Sequence, residues 1–132
     1  MENDFRALLA SDPTIAGIVS ARIYPSTYAQ NAAGPAMRYQ KITGSIGMHM
    51  EGSDGLSTDL MQVDVRAELA ADVFALRNAI VAALHGFSGT KGNTTFQIIE
   101  LRDDRGTSFE TTGAQNFYTR SMDFDVSSRA AA

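Results

Sequence analysis

Residues 56–69 read Leu56-Ser57-Thr58-Asp59-Leu60-Met61-Gln62-Val63-Asp64-Val65-Arg66-Ala67-Glu68-Leu69. Met61, Val63, Val65 and Ala67 alternate with Leu60, Gln62, Asp64 and Arg66, the two-residue period of a strand that buries one face. A strand in a doubly wound parallel sheet is buried on both faces and reads as an unbroken apolar run. The alternation therefore favours an antiparallel sheet covered on one side. Residues 117–127 repeat the pattern, with Tyr118, Met122, Phe124 and Val126 against Thr119, Ser121, Asp123 and Asp125.

Residues 71–85 lie between these strands and carry a helical period. Val73, Leu76, Ile80 and Leu84 share one stripe, Phe74 and Val81 widen it, and Gly86 stands where a C-terminal cap belongs. Arg77 falls within the stripe, and its stem is expected to pass Ile80 and Val81 with the head in water. Ala75, Ala79 and Ala82 on the back reflect either helix propensity or close approach of another helix or subunit.

Toward the N-terminus, Phe5, Leu8 and Leu9 predict a short helix, and Asp12-Pro13 predicts an N-cap opening a second one through Ile15, Ile18 and Val19. Arg22-Ile23-Tyr24-Pro25 reads as a short extended segment, residues 26–35 as loop, and residues 36–42 as a strand with Met37 and Tyr39 against Arg38 and Gln40. Residues 94–101 form another strand, in which Phe96 and Ile98 compete with Ile99 and Leu101 for the inward face. Residues 102–113 read as a charged loop or hairpin turn. The expected fold is α+β: a mainly antiparallel sheet of about four strands, packed by one main helix and short N-terminal helices. It forms one domain over residues 1–127, with a flexible tail over 128–132.

Extended throughout, residues 56–69 span about 45 Å at ~3.3 Å per residue, whereas a compact chain of this length is roughly 36 Å across. Residues 37–46 and 56–69 are accordingly expected to form a long hairpin. Its glycine-rich tip, residues 44–55, is expected to project and reach a neighbouring subunit. The alternative is a bend or bulge in one strand with a disordered loop.

Composition narrows the chemistry. The 132 residues include no cysteine, and 11 Lys+Arg against 15 Asp+Glu leave a net charge of −4. Disulfides, thiolate catalysis and cysteine-ligated metals are excluded, and a general electrostatic grip on nucleic acid or an anionic membrane is disfavoured. The acidic start Met1-Glu2-Asn3-Asp4 lacks the features of a secretory signal, and no apolar run approaches a membrane span.

His49 and His85 are the only histidines, and neither sits at zinc-ligand spacing. Gly86-Phe87-Ser88-Gly89 lacks the spacing of a nucleophile elbow, and Lys91-Gly92 reverses the order a phosphate-binding loop needs. Asp103, Asp104 and Glu110, beside Arg102 and Arg105, either hold a cation or neutralise themselves as a solvated turn. Asn93-Thr94-Thr95 matches a glycosylation sequon without a secretion signal. Asp64, Asp123 and Asp125 share the polar faces of two strands, forming either a solvated face or, in a ring, a channel wall that repels DNA. No enzyme, cofactor or metal site is expected.

Several of these pieces, in order along nearly the whole chain, resemble the bacteriophage tail completion (tail terminator) family of long-tailed phages, prophages and gene transfer agents. They are the helix around Phe5, Leu8 and Leu9; Arg22-Ile23-Tyr24-Pro25; Gln62-Val63-Asp64-Val65; Ala83-Leu84-His85-Gly86; Arg102-Asp103-Asp104; and Tyr118-Thr119-Arg120-Ser121-Met122-Asp123-Phe124-Asp125-Val126. The chain departs from the family pattern at residues 47–55 and at Ser127, where an aromatic often stands.

The resemblance implies a non-enzymatic virion protein, assembled in the host bacterial cytoplasm, that forms a ring, commonly of six subunits, at the head-proximal end of the tail tube. Such a ring stops tube polymerisation and docks to the head–tail connector or stopper, and DNA passes through it without specific binding. The tail tube protein and the connector are the implied partners, and no membrane is involved. The expected ring interface comprises Met48, His49, Met50 and Glu51 at the tip and Arg102, Asp103, Asp104, Arg105 and Glu110 in the later loop. The expected channel lining is Asp64, Asp123 and Asp125. The competing classes are another connector component (stopper or adaptor), a tube subunit, or a small-molecule-binding cytosolic α+β oligomer.

Overall fold

A computed structural model describes residues 1–28, 34–49, 52–112 and 115–130. Two short helices, α1 (Glu2–Ala10) and α2 (Pro13–Val19), precede β1 (Ile23–Pro25), β2 (Ala36–His49) and β3 (Gly52–Ala67). Helix α3 (Ala70–Leu84) follows, then β4 (Gly89–Lys91), β5 (Thr94–Asp104), β6 (Ser108–Thr112) and β7 (Gln115–Ala130). The protein is α+β. The strands form one sheet in the order β1-β2-β3-β7-β5-β4, with β6 also paired to β7. All pairings are antiparallel except β1 on β2, which is parallel.

The sheet is thus larger than the four strands expected. β1 falls within the extended segment read at residues 22–25, and the further additions β4 and β6 span only three and five residues, too short for a periodicity to register. The 102–113 segment, expected as a charged loop or hairpin turn, supplies over residues 102–112 the end of β5 and all of β6. The chain beyond Ser127, expected as a free tail, continues β7 through Ala130, and Ser128 is buried.

The three helices cover one face. Phe5 and Leu9 of α1, Ile15 and Val19 of α2, and Val73, Leu76, Ile80 and Leu84 of α3 pack on Met37, Tyr39, Met61, Val63, Val65, Met122, Phe124 and Val126 of the sheet. The predicted α3 stripe of Val73, Leu76, Ile80 and Leu84 is buried, whereas Phe74, expected to widen it, is exposed. Of its three back alanines, Ala79 joins the core while Ala75 and Ala82 are exposed. Helix α2 starts as its sequence predicts, because the Asp12 carboxylate accepts from the N–H groups of Thr14 (2.9 Å) and Ile15 (3.0 Å) ahead of Pro13. Gly86 takes φ +82°, a left-handed conformation that side chains disfavour, and so turns the chain out of α3. Its N–H then reaches the Ile99 carbonyl (2.7 Å), so residues 85–91 run along the outer edge of β5.

The competition within β5 is resolved by a bulge. Phe96 pairs with Ser128 and Ile98 with Ser127, so Gln97 is an extra residue that shifts the facing of everything after it. Phe96 and Ile99 are therefore both buried, and Ile98 is 40% exposed. The long hairpin forms as well, and it also contains irregularities. β2 and β3 pair from Ala36↔Arg66 out to His49↔Gly52, with register shifts between Lys41 and Thr43 and between Ile46 and Met48. The glycine-containing segment, expected as the projecting tip or else a disordered loop, is paired strand up to those last positions. The cross-strand ladder overrides the weak strand propensity of glycine.

Candidate assembly surfaces

β3 meets β7 only from Ser57↔Ser128 to Ala67↔Tyr118. Beyond Ser57 the hairpin has no third strand among the described residues, and its outer part stands as a two-stranded arm. Met48 and His49 lie on this arm, at the end of β2. Met50 and Glu51 lie outside the described residues. β1 covers β2 at Met37–Tyr39, so the outer edge of β2 from Gln40 to His49 has no neighbour among the described strands.

The face of the sheet away from the helices carries paired charges. Asp64, 5% exposed, accepts from Arg38 Nε (2.7 Å), from Gln62 Nε2 (2.8 Å) and from Ser121 Oγ. Asp123 is gripped by both terminal nitrogens of Arg105 (2.8 and 3.0 Å), which also reaches Asp103 (3.2 Å). Asp125 accepts from Arg102 (3.3 Å). The row Asp64, Asp123, Asp125 is therefore not the bare acidic stripe expected; an arginine answers each carboxylate. Beside it the Arg66 guanidinium is sandwiched between the rings of Tyr28 (3.9 Å) and Phe117 (4.4 Å). Arg102 and Arg105 are legible in the sequence as charged neighbours, but Arg38 and Arg66 escape sequence inspection, although Arg38 shares the alternating polar face with Asp64 once the strands are in register.

Asp104 points the other way, toward α3. It accepts from Arg77 Nε (2.9 Å) and from Arg120 Nε (2.8 Å) and Nη2 (3.1 Å). Hydrogen bonding from Arg120, and less so from Arg77, holds its carboxyl below the usual range against the opposing effect of burial. Arg120 is correspondingly raised, chiefly by its hydrogen bond to Asp104. Arg77, expected to extend into water, thus pairs across to the sheet, and Asp104 belongs to a structural network rather than a solvated turn. Arg102, Asp103 and Arg105 remain surface residues. Glu110 lies within β6, opposite Phe117.

Arg120 also stacks over Phe74 (5.6 Å) and donates to Thr107. Along β7, Tyr118 packs edge-on against Phe109, with ring centroids 5.1 Å apart. Phe74, under Arg120, and Phe109, against Tyr118, are 48% and 56% exposed, a costly placement for two aromatics. Among the described residues no group of three His, Asp or Glu could hold a metal, and no helix is long and apolar enough to cross a membrane.

No family model matches the chain, and no curated protein matches it. Solved structures do. A chain of a structure described as "Virion of native gene transfer agent (GTA) particle" superposes with a TM-score of 0.68 at 13% identity, covering 94% of this chain and 90% of that one. A second solved chain gives a TM-score of 0.57 at 14% identity, covering 96% and 95%. At these identities the likeness is one of fold, and it spans nearly the full length on both sides.

Proposed function

We propose that this chain is a non-enzymatic virion protein of a phage-like particle, forming a ring, six-membered by preference, that caps the head-proximal end of a tail tube. The observation that carries the reading is the fold shared end to end with a chain of a gene transfer agent particle. The ordered motifs resembling tail completion proteins and the two-stranded arm beyond Ser57 support it. In this role the ring stops tube growth and meets the head–tail connector, after assembly in the bacterial host cytoplasm.

The sheet face bearing Asp64, Asp123 and Asp125 lines the channel. Because Arg38, Arg105 and Arg102 already answer those carboxylates, the wall offers passing DNA neither free guanidiniums to bind nor a strong repulsive field. Contacts between subunits or rings fall to Met48, His49, Met50 and Glu51 of the expected hairpin tip, with Asp103 and Glu110, while Arg102 and Arg105 serve the channel wall and Asp104 the α3–sheet network.

Electron microscopy of the protein mixed with tail tubes tests the assignment. A six-fold ring at one tube end is the expected result. Density distributed along the tube means a tube subunit instead, and a chain that never associates with tubes overturns the reading.

A further inference from the structure

The arm and the aromatic patch occupy opposite ends of the same sheet. The arm begins beyond Ser57, whereas Tyr118, beside Phe109, pairs with Ala67, and Asp104 is level with Met122 and so with Val63. Ten strand residues separate Ser53 from Val63, roughly 30 Å of β3. The arm therefore cannot fold back onto the patch of its own chain.

The two surfaces are nevertheless complementary. From Ile42 to Val65 the sequence contains no lysine or arginine, while Met48, Met50, Glu51 and Asp54 fall in its middle. The patch presents Phe74 beneath Arg120 and, two residues back along β7, Tyr118 packed on Phe109; Arg77 and Arg120 share the single carboxylate of Asp104, so that trio carries one net positive charge. Asp72, the acidic residue nearest Phe74 on α3, lies about 160° away around the helix. Thioether side chains suit an aromatic seat because they are flexible and polarizable.

We propose that the outer hairpin of one copy seats on the Phe74–Arg120–Phe109 patch of the next copy. This rests on the ring reading and specifies its contact: a head-to-tail interface between two different surfaces, the kind that closes a ring. An isologous dimer would instead match one patch with itself.

The absence of cysteine in the chain makes the test clean. Ser53→Cys places a thiol on the arm, and Asn78→Cys places one beside Phe74 on the exposed side of α3. With a short bismaleimide, an equimolar mixture of the two variants is expected to give a covalent dimer. The double variant is expected to give a ladder ending at the ring size, and each single variant alone should remain uncoupled. Phe109→Asp, its fold checked by circular dichroism, is expected to weaken assembly by at least tenfold in light scattering.

Assembled variants that fail to couple, coupling within one chain, or Phe109→Asp assembling like the parent would each overturn the arm–patch contact while leaving the ring intact. A parent chain that stays monomeric at every concentration and in the presence of tubes would overturn the ring reading itself.

Discussion

Replacing Asp104 with alanine removes one carboxylate from between two guanidiniums. Arg77 and Arg120 lose charge-assisted hydrogen bonds of 2.8 to 3.1 Å, and both are left facing each other across the α3–sheet contact. Side-chain exposures of 15% for Asp104, 16% for Arg120 and 28% for Arg77 place the cluster between two limits. Exposed pairs contribute about 0–1 kcal/mol, and breaking a fully buried pair on one side costs about 3–5 kcal/mol. An intermediate loss of about 2–3 kcal/mol is expected. With an unfolding entropy of about 2.1 cal/mol/K per residue over this chain, that is a fall in Tm of roughly 7–11 °C.

Asp103→Ala is the matched control. Its carboxylate is 58% exposed, accepts from the Asp104 N–H (3.0 Å) and pairs with Arg105, which keeps Asp123, so a change below about 2 °C is expected for these exposed contacts. Calorimetry of both variants decides the matter. An Asp104→Ala protein melting within about 2 °C of Asp103→Ala would refute the idea that this network joins α3 to the sheet. The same pair predicts a pH signature. The Asp104 carboxyl is held below its ordinary 3.8 in the folded state. Its stabilisation is therefore complete above that value and is lost as pH falls through the lower folded one. The advantage of the parent over Asp104→Ala should accordingly shrink on acidification, as read by melting at successive pH values.

Two further substitutions test the local structure. Ile99→Ala, at a fully buried site, should cost about 2–4 kcal/mol, whereas Ile98→Ala next to it should cost less than about 1 kcal/mol in urea titrations; equal losses would contradict the β5 bulge. Asp12→Ala removes the two hydrogen bonds capping α2 and should cost about 1 kcal/mol by the same measurement.

The legible parts of the fold were those where one periodicity runs unbroken. Residues 60–67, 117–126 and the α3 stripe declare their buried faces because each side chain's direction follows from its neighbour's. Asp12-Pro13 declares a helix start because its chemistry is local. At Gln97 a single extra residue switches the inward face, and no residue type in Thr94–Leu101 announces it. β6 stayed hidden because Ser108–Thr112 has only Phe109 as an apolar marker, and its partner on β7 is a matter of tertiary pairing. The polar networks were half legible. The carboxylates were visible as candidates, but Arg38, Arg77 and Arg120 become their partners only through strand register and helix placement. Asp103 and Asp104, adjacent in sequence, point to opposite faces of the sheet.

The two flanks of the sheet are treated differently. On one side, residues 85–91 seal β5, and the His85 ring itself accepts from the Leu101 N–H (2.9 Å). On the other, β2 has no neighbour among the described strands from Gln40 to His49, a length that invites indiscriminate strand pairing. The irregularities at Ile42 and Gly47 cut that flank into regular runs, the longest being Thr43–Ile46. Four residues fall short of the six or seven from which amyloid-like stacks are built. The kinks that make the hairpin hard to read thus act as a safeguard, keeping a long open flank from templating fibres.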